Sequence, residues 1–186
     1  LRSHQRIIQI ATDCVYSGHT GDYKETDPHD ALDIYGKTKS LGEANYPNAM
    51  HLRTSIIGPE YREEKKFLFE WLVGQPQGAT VPGFSSHTWN GVTTFHFAKV
   101  CAGIIKNERL FSAGIQHLKA GHHYVTKAYL LERIAHSFGR PDLEILPKDG
   151  PAVHRYLATN EPDKHYALWQ GVGYEEIPTV EEMVQE

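Results

Sequence analysis

The sequence predicts an α/β protein built on a parallel sheet, and three observations predict it. Gln5-Arg6-Ile7-Ile8-Gln9-Ile10 reads as a buried strand running into Thr12-Asp13. Tyr35-Gly36-Lys37-Thr38-Lys39 opens a helix, and His51-Leu52-Arg53-Thr54-Ser55-Ile56-Ile57 reads as a second strand halted by Gly58-Pro59. Strand, helix and strand in that order form a parallel βαβ unit. Open sheets of this kind hold their ligands beyond the carboxyl ends of the strands, which is where the first strand delivers the Thr12 hydroxyl.

The elements follow in order. Residues 18–33 form a loop rich in Gly, Asp and Pro, of the kind that lies at a surface and borders a site. Asp33 or a neighbour caps the first helix, which runs to about Tyr46 and stops before Pro47. A short amphipathic helix is expected over 67–73 and a brief strand or extended connector over 80–84. The spacing of Phe97, Val100, Cys101 and Ile104 predicts a helix over 93–105 with those residues on one face. A strand over 114–118 follows, then a helix over 126–138, capped by Thr126 and ended by Gly139 with Pro141 beyond. A short strand over 143–146 and a closing helix over 180–185 complete the chain. Gly171-Val172-Gly173-Tyr174-Glu175-Glu176 lacks a third glycine and reads as a loop.

At 186 residues the chain can bury one sizeable core, or one core and a small lobe. Hydrophobic content of 40% and charged content of 23% are ordinary for a globular protein and argue against disorder. No apolar run approaches the roughly 18 residues that a membrane span needs, and no signal-peptide pattern opens the chain. A net charge of -4, with Lys65-Lys66 answered by Glu63-Glu64, leaves no electrostatic case for nucleic acid. Cys14 and Cys101 suggest no disulfide framework, so a reducing, cytoplasmic setting is expected. The twelve histidines are dispersed, His122-His123 are adjacent and would point in different directions, and no metal site is expected.

Tyr35 and Lys39 fall one turn apart on the same helix face. A fixed ammonium beside a phenol favours the phenolate and lowers its pKa by roughly 1–3 units, which makes the phenol useful for moving protons. A lone Tyr-x-x-x-Lys is commonly just an exposed helical pair; the upstream Thr12 is what favours a site. Other readings stay open at this point. Thr12 could cap the turn after its strand. Asp13 reads equally as a turn-forming carboxylate, and Glu43, four residues past Lys39, reads as a helical ion-pair partner. Arg53 reads as a paired structural residue, Trp89 could simply pack under a loop, and His87 receives no role.

Taken together, Thr12-Asp13, Tyr35-x-x-x-Lys39, Gly42-Glu43 and Leu52-Arg53-Thr54-Ser55 resemble the extended short-chain dehydrogenase/reductase superfamily, most closely its dTDP-4-dehydrorhamnose reductase branch. Trp89-Asn90-Gly91-Val92-Thr93-Thr94, Gly114-Ile115-x-His117-Leu118 and Gly139-Arg140 agree with it. The resemblance implies the carboxyl-terminal part of a Rossmann-like parallel sheet over 1–60, and a small α/β substrate-binding lobe over 61–186 with some segments returning to the sheet. The Gly-rich turn that receives a dinucleotide pyrophosphate is not found in this sequence. At roughly 30 residues per βαβ unit, a preceding portion on the order of 80 to 100 residues is expected. A sheet so shortened leaves an open edge that invites pairing, and a homodimer is the expected assembly.

The resemblance also implies chemistry: hydride from NADP or NAD to the keto carbon of a nucleotide-linked 4-keto-6-deoxy sugar. Tyr35 would supply the proton. Lys39 would hold the tyrosine's pKa down and bind the nicotinamide ribose, and Thr12 would hydrogen-bond the carbonyl oxygen. The backbone from Ser55 through Ile57 to Gly58 would pass the nicotinamide, and Asp13, Trp89 and Asn90 would contact the sugar nucleotide. Nucleotide-sugar dehydratases resemble this chain but carry Asp-Glu after the threonine, where this chain has Asp13-Cys14, so dehydration is not expected. A 4-epimerase needs only Thr12, Tyr35 and Lys39 and stands as an alternative, as does a non-catalytic NADP-binding regulatory subunit. Ile56 stands where several rhamnose-forming relatives have an aromatic residue, which leaves the particular sugar open.

Overall fold

A computed structural model describes residues 5–121 and 124–186, so the His122-His123 pair lies outside the described residues. The order of elements is β1 (Ile7–Thr12), a 3-10 turn (Asp13–Val15), α1 (Ile34–Leu41), β2 (Ala49–Thr54), β3 (Ile56–Ile57), α2 (Leu68–Val73), β4 (Thr80–Phe84), β5 (His87–Trp89), β6 (Val92–Thr93) and α3 (Thr94–Lys106). Then come a second 3-10 turn (Glu108–Leu110), β7 (Gly114–His117), β8 (Val125–Thr126), α4 (Lys127–Ser137), β9 (Glu144–Lys148), β10 (Val153–His154), α5 (Pro162–Gln170) and α6 (Val180–Gln185).

The main sheet has the order β1-β2-β7 and is parallel throughout, with Ile7 opposite Ala49 and Thr12 opposite Thr54. The α/β class with a parallel sheet is therefore as the sequence predicts, and β7 brings residues from beyond position 60 into that sheet. The remaining strands form three smaller sheets among the described residues, β10-β5-β8, β3-β6 and β4-β9. β2 is central, and all six of its residues are buried. β1 is an edge among the described residues: Ile10 is 59% exposed, which corrects the expectation of a buried strand. An edge strand has one paired neighbour, so its outer flank is uncovered.

Two more expectations need correction. The helix carrying Tyr35 ends at Leu41, well before Tyr46, because the chain turns at Gly42 and carries Glu43 inward to the guanidinium of Arg53. Gln9 Nε2 fixes that turn by donating to the Gly42 carbonyl at 2.9 Å. The strand expected over 51–57 is two strands. At Ser55 the backbone changes partner, its carbonyl accepting from Val92 N–H at 2.9 Å, so that β3 pairs with β6.

One hydrophobic core joins β2 to the helices through Leu52, Val100, Leu118, Leu131, Ile134 and Trp169. Each such side chain contributes about 1.5–3 kcal/mol by leaving water. On α3, Phe97, Val100 and Ile104 are buried as the periodicity predicts, whereas Cys101 is half-buried at the margin. A small separate cluster of Val15, Tyr16, Tyr23 and Leu157 fixes the 18–33 loop against the later segment around Leu157. No helix among the described residues is long and apolar enough to cross a membrane.

Candidate active site

Thr12 ends β1 and turns the chain. Its Oγ1 accepts from Cys14 N–H at 3.2 Å, capping the 3-10 turn, and its hydroxyl lies 3.3 Å from the Asp13 carboxylate. Asp33 caps α1, its Oδ1 accepting from Gly36 N–H at 2.8 Å, so Tyr35 sits in the first helical turn. Gly36 then lets the helix descend onto the 3-10 turn: a Cβ there would lie 2.3 Å from the Cys14 carbonyl oxygen and 2.5 Å from Ala31 Cβ. That approach places Thr12, Asp13 and Cys14 among the groups that act on the Tyr35 phenol. Lys39, one turn on, places its ammonium 5.6 Å from the centroid of the Tyr35 ring. The structure thus brings Thr12, Tyr35 and Lys39 together.

The electrostatics differ from the expectation. Partial burial, then the neighbouring Cys14, Asp13 and Asp33, hold the Tyr35 phenol above its ordinary pKa, against the lowering effect of the nearby Thr12 hydroxyl. The predicted lowering by Lys39 is not found, because its ammonium lies over the ring and not at the hydroxyl. The adjacent Asp13 is buried, and burial raises its pKa to about 6 against the opposing charge of Arg155 and hydrogen bonds from Thr12 and Cys14.

Arg155 comes from the far end of the chain. Its Nε donates to the Tyr16 carbonyl at 3.0 Å, Nη1 lies 3.8 Å from Cys14 Sγ, and Nη2 lies 3.9 Å from the Asp33 carboxylate. One guanidinium therefore spans the turn bearing Asp13 and the cap of the helix bearing Tyr35.

A second layer lies under the site. Arg53, fully buried, donates through Nε to Glu43 Oε1 at 3.1 Å and through Nη2 to Glu43 Oε2, and through Nη1 to the Tyr16 hydroxyl. It also meets His117 Nε2 at 3.0 Å and His29 Nε2 at 2.8 Å. Burial depresses His117 to about 4, so it is neutral near pH 7, accepts at Nε2, and donates from Nδ1 to the Ala158 carbonyl at 2.7 Å. Arg53 is the paired structural residue expected. Its partner is the surprise: Glu43 serves Arg53 and not Lys39, since the helix has already ended.

A cavity of about 620 Å³ opens at the carboxyl end of the sheet and is lined by Asp13, Ser55, Ile57, Trp89, Lys127 and Arg155 among others. Ser55 and Ile57 line it, and Gly91 seats their loop, since a Cβ there would meet the Ser55 carbonyl at 2.1 Å. Trp89 is half-buried in the wall. Asn90 is not on the lining: it is buried, its Nδ2 donates to the Leu157 carbonyl at 2.8 Å and its Oδ1 accepts from Leu157 N–H at 2.9 Å. That corrects its expected substrate contact, because the amide is pinned to the backbone. Thr12, Tyr35 and Lys39 stand beside the Asp13 end of the cavity and are not part of its lining. No cluster of three or more His, Cys, Asp or Glu side chains among the described residues could hold a metal ion.

Sequence reasoning missed Lys127 and Arg155. Neither stands in a motif, and only the folded topology carries them to the cavity.

Comparison with known proteins adds the following. Residues 2–152 match the RmlD substrate binding domain family. A dTDP-4-dehydrorhamnose reductase of Aggregatibacter actinomycetemcomitans is 39% identical over 66 residues, covering 33% of this chain and 22% of that protein. The dTDP-4-dehydrorhamnose reductase of Bacillus anthracis, solved with NADP, superimposes with a TM-score of 0.71 at 16% identity over 97% of this chain and 64% of its own. The corresponding protein of Clostridium acetobutylicum gives a TM-score of 0.71 at 20% identity, with the same coverage of 97% and 64%. At such identities the structural likeness is one of fold, and the chain spans under two thirds of the length of these relatives.

Proposed function

The chain belongs to the RmlD substrate binding domain family, and from that premise we propose that it takes part in NAD(P)H-dependent reduction of a nucleotide-linked 4-keto-6-deoxy sugar, with Tyr35 as proton donor. The observation that carries this reading is the placement of the Tyr35 phenol near Thr12 and Asp13 at the carboxyl end of β1, with the Lys39 ammonium over the ring.

The residues fit the nicotinamide end of a dinucleotide. Lys39 is exposed and makes no ion pair among the described residues, which leaves its three N–H groups available to ribose hydroxyls. The turn from Ser55 to Ile57 lines the cavity next to Asp13. When bound, the reduced dinucleotide supplies the hydride. Everything else falls to side chains of this chain. Thr12 holds the substrate carbonyl oxygen in place and stabilises charge as it develops there. Tyr35 gives its phenolic proton to that oxygen, and Lys39 holds the ribose hydroxyls beside it. A positioned acid of this kind contributes about 10²–10⁴ in rate, or roughly 3–5 kcal/mol.

Asp13 follows Thr12 directly and reaches the same end of the cavity. Its raised pKa of about 6 leaves it chiefly an acceptor at pH 7 and lets it donate as well at pH 6 and below, which suits a ligand rich in hydroxyls.

The test is NADPH oxidation by the protein with a dTDP-4-keto-6-deoxyhexose. Tyr35→Phe should lower turnover by at least a hundredfold with little change in substrate affinity. Equal activity in the variant would remove Tyr35 from the chemistry. Interconversion of C4 epimers without net NADPH consumption would move the reading to an epimerase.

A further inference from the structure

Arg155 follows β10, and the backbone on either side of it is fixed. β10 lies parallel to β5, with Val153 opposite His87 and His154 opposite Thr88. His154 N–H donates to the Gly18 carbonyl at 2.7 Å, Ala158 N–H donates to the Tyr23 carbonyl at 2.8 Å, and the Asn90 amide holds Leu157 at both its N–H and its carbonyl. The arginine therefore projects from an anchored segment, and its side chain is 30% exposed.

From there the guanidinium reaches two elements that carry different parts of the site. Nε and Nη1 face the turn that presents Thr12 and Asp13, at the Tyr16 carbonyl and Cys14 Sγ, while Nη2 faces Asp33, whose carboxylate also caps the helix bearing Tyr35. The Asp33 pair is half-exposed and 3.9 Å long, so it adds little to stability. Its consequence is alignment. Gly36 sets how closely the helix approaches the turn, but a guanidinium is planar and presents its donors at fixed angles, so it sets orientation as well. An ammonium on a flexible stem can meet one of these acceptors and cannot span both elements.

We propose that Arg155 is a positioning residue, a clasp from the far end of the chain that holds the Thr12-Asp13 turn and the first turn of α1 in register. The effect on turnover rests on the reductase reading above; the clasp itself does not. Tyr35 reports on the register. Its phenol is half-buried, Cys14 and Asp13 of the turn and Asp33 of the cap oppose its ionisation, Thr12 favours it, and the Lys39 ammonium lies over the ring. A helix that drifts from the turn leaves the burial, Cys14 and Asp13 behind, and the phenol ionises more easily. Losing the positive charge of Arg155 with the register intact would do the opposite, because Asp13 and Asp33 would then oppose the phenolate unscreened.

The experiment is ultraviolet titration of the Tyr35 tyrosinate step, taken as each protein minus its Tyr35→Phe counterpart, in the wild type, Arg155→Met and Arg155→Lys. Urea midpoints and NADPH oxidation with a dTDP-4-keto-6-deoxyhexose are measured alongside. In both variants the step should move down toward the ordinary tyrosine value of about 10. Turnover should fall about tenfold or more with KM changed by less than about twofold, since a misplaced donor acts on the chemical step. Should Arg155→Met fail to fold, Arg155→Lys keeps the charge and carries the test. A step that stays in place or rises in a folded variant would overturn the clasp, whatever the urea midpoint does, because a residue that only stabilises the fold leaves Tyr35 of the folded protein unchanged. The reductase reading fails separately. If the step falls in the Arg155 variants while Tyr35→Phe leaves NADPH oxidation intact, the clasp stands and the proton-donor assignment falls.

Discussion

Gly36 stands so close to Cys14 that a Cβ added to it would lie 2.3 Å from the Cys14 carbonyl oxygen. The contact sets how near the Tyr35 helix comes to the turn that presents Thr12. Gly36→Ala pits two effects against each other: alanine is the better helix residue by about 1 kcal/mol, but overpacking costs typically about 1–3 kcal/mol. Because the obstructing atom is backbone and Ala31 Cβ closes the other side at 2.5 Å, the steric term wins. Gly36→Ala should lower stability in urea denaturation and, by lifting Tyr35 away from Thr12, reduce turnover more than substrate affinity.

Glu43 and Arg53 form a buried pair, with side chains 2% and 0% exposed. Removing one member leaves the other charged and dry, which costs about 3–5 kcal/mol. Glu43→Ala should therefore be among the most destabilising single changes in this chain, even though His117, His29 and Tyr16 still touch Arg53. None of those three brings a compensating negative charge, since burial holds the Tyr16 phenol well above its ordinary pKa. The double change Glu43→Leu with Arg53→Met should recover most of the loss, measured as the urea midpoint.

These two cases mark what the sequence makes legible. The βαβ unit, the Tyr-x-x-x-Lys helix, the buried face of α3 and the caps of α4 rest on local periodicity and capping, and local signals survive in a sequence. Glu43 with Arg53 does not, because the pairing depends on a helix ending at Gly42, where the helical pattern itself would run on. Arg155 meets Cys14 and Tyr16 across 141 and 139 residues, a separation at which no spacing rule operates. β3, β6, β8 and β10 have two residues each, too short for alternation to register. The missed α5 was readable, since His165, Leu168 and Trp169 are buried at helical spacing, but its polar composition hid them. The resemblance puts Asn90 with Trp89 at the ligand, but its amide is taken up by the Leu157 backbone, 67 residues away in the chain, a pairing no local pattern shows.

Asp13 gives a pH dependence whose sign is fixed. Its folded pKa is raised, from 3.8 to about 6, so the neutral carboxyl is what the folded turn prefers. The stability it contributes is fully present below the unfolded pKa and is lost as pH rises through the folded value, an amount of roughly 3 kcal/mol. Asp13→Asn removes the titration while keeping the shape. The wild-type protein should therefore lose stability relative to Asp13→Asn between about pH 4 and pH 7, with the difference taken from urea midpoints at each pH. A difference that stays flat over that interval would mean Arg155 compensates the carboxylate fully.

Tyr35 itself is the last test, and it turns on where Lys39 lies. An ammonium at the phenolic oxygen would favour the phenolate directly; over the ring face it acts on the quadrupole and leaves the hydroxyl to its other neighbours. Those neighbours are a desolvating surface, the Cys14 thiol and the carboxyl groups of Asp13 and Asp33, all of which oppose ionisation. In the ligand-free protein Tyr35 should thus ionise above the ordinary tyrosine value of about 10, and ultraviolet titration of the wild type minus Tyr35→Phe should contain no tyrosinate step below it. Lys39→Met should leave that step unmoved. A tyrosinate appearing near neutrality and lost in Lys39→Met would show that the lysine tunes the phenol before any ligand arrives. The expected result assigns Lys39 a different task, that of holding bound hydroxyls beside the phenol.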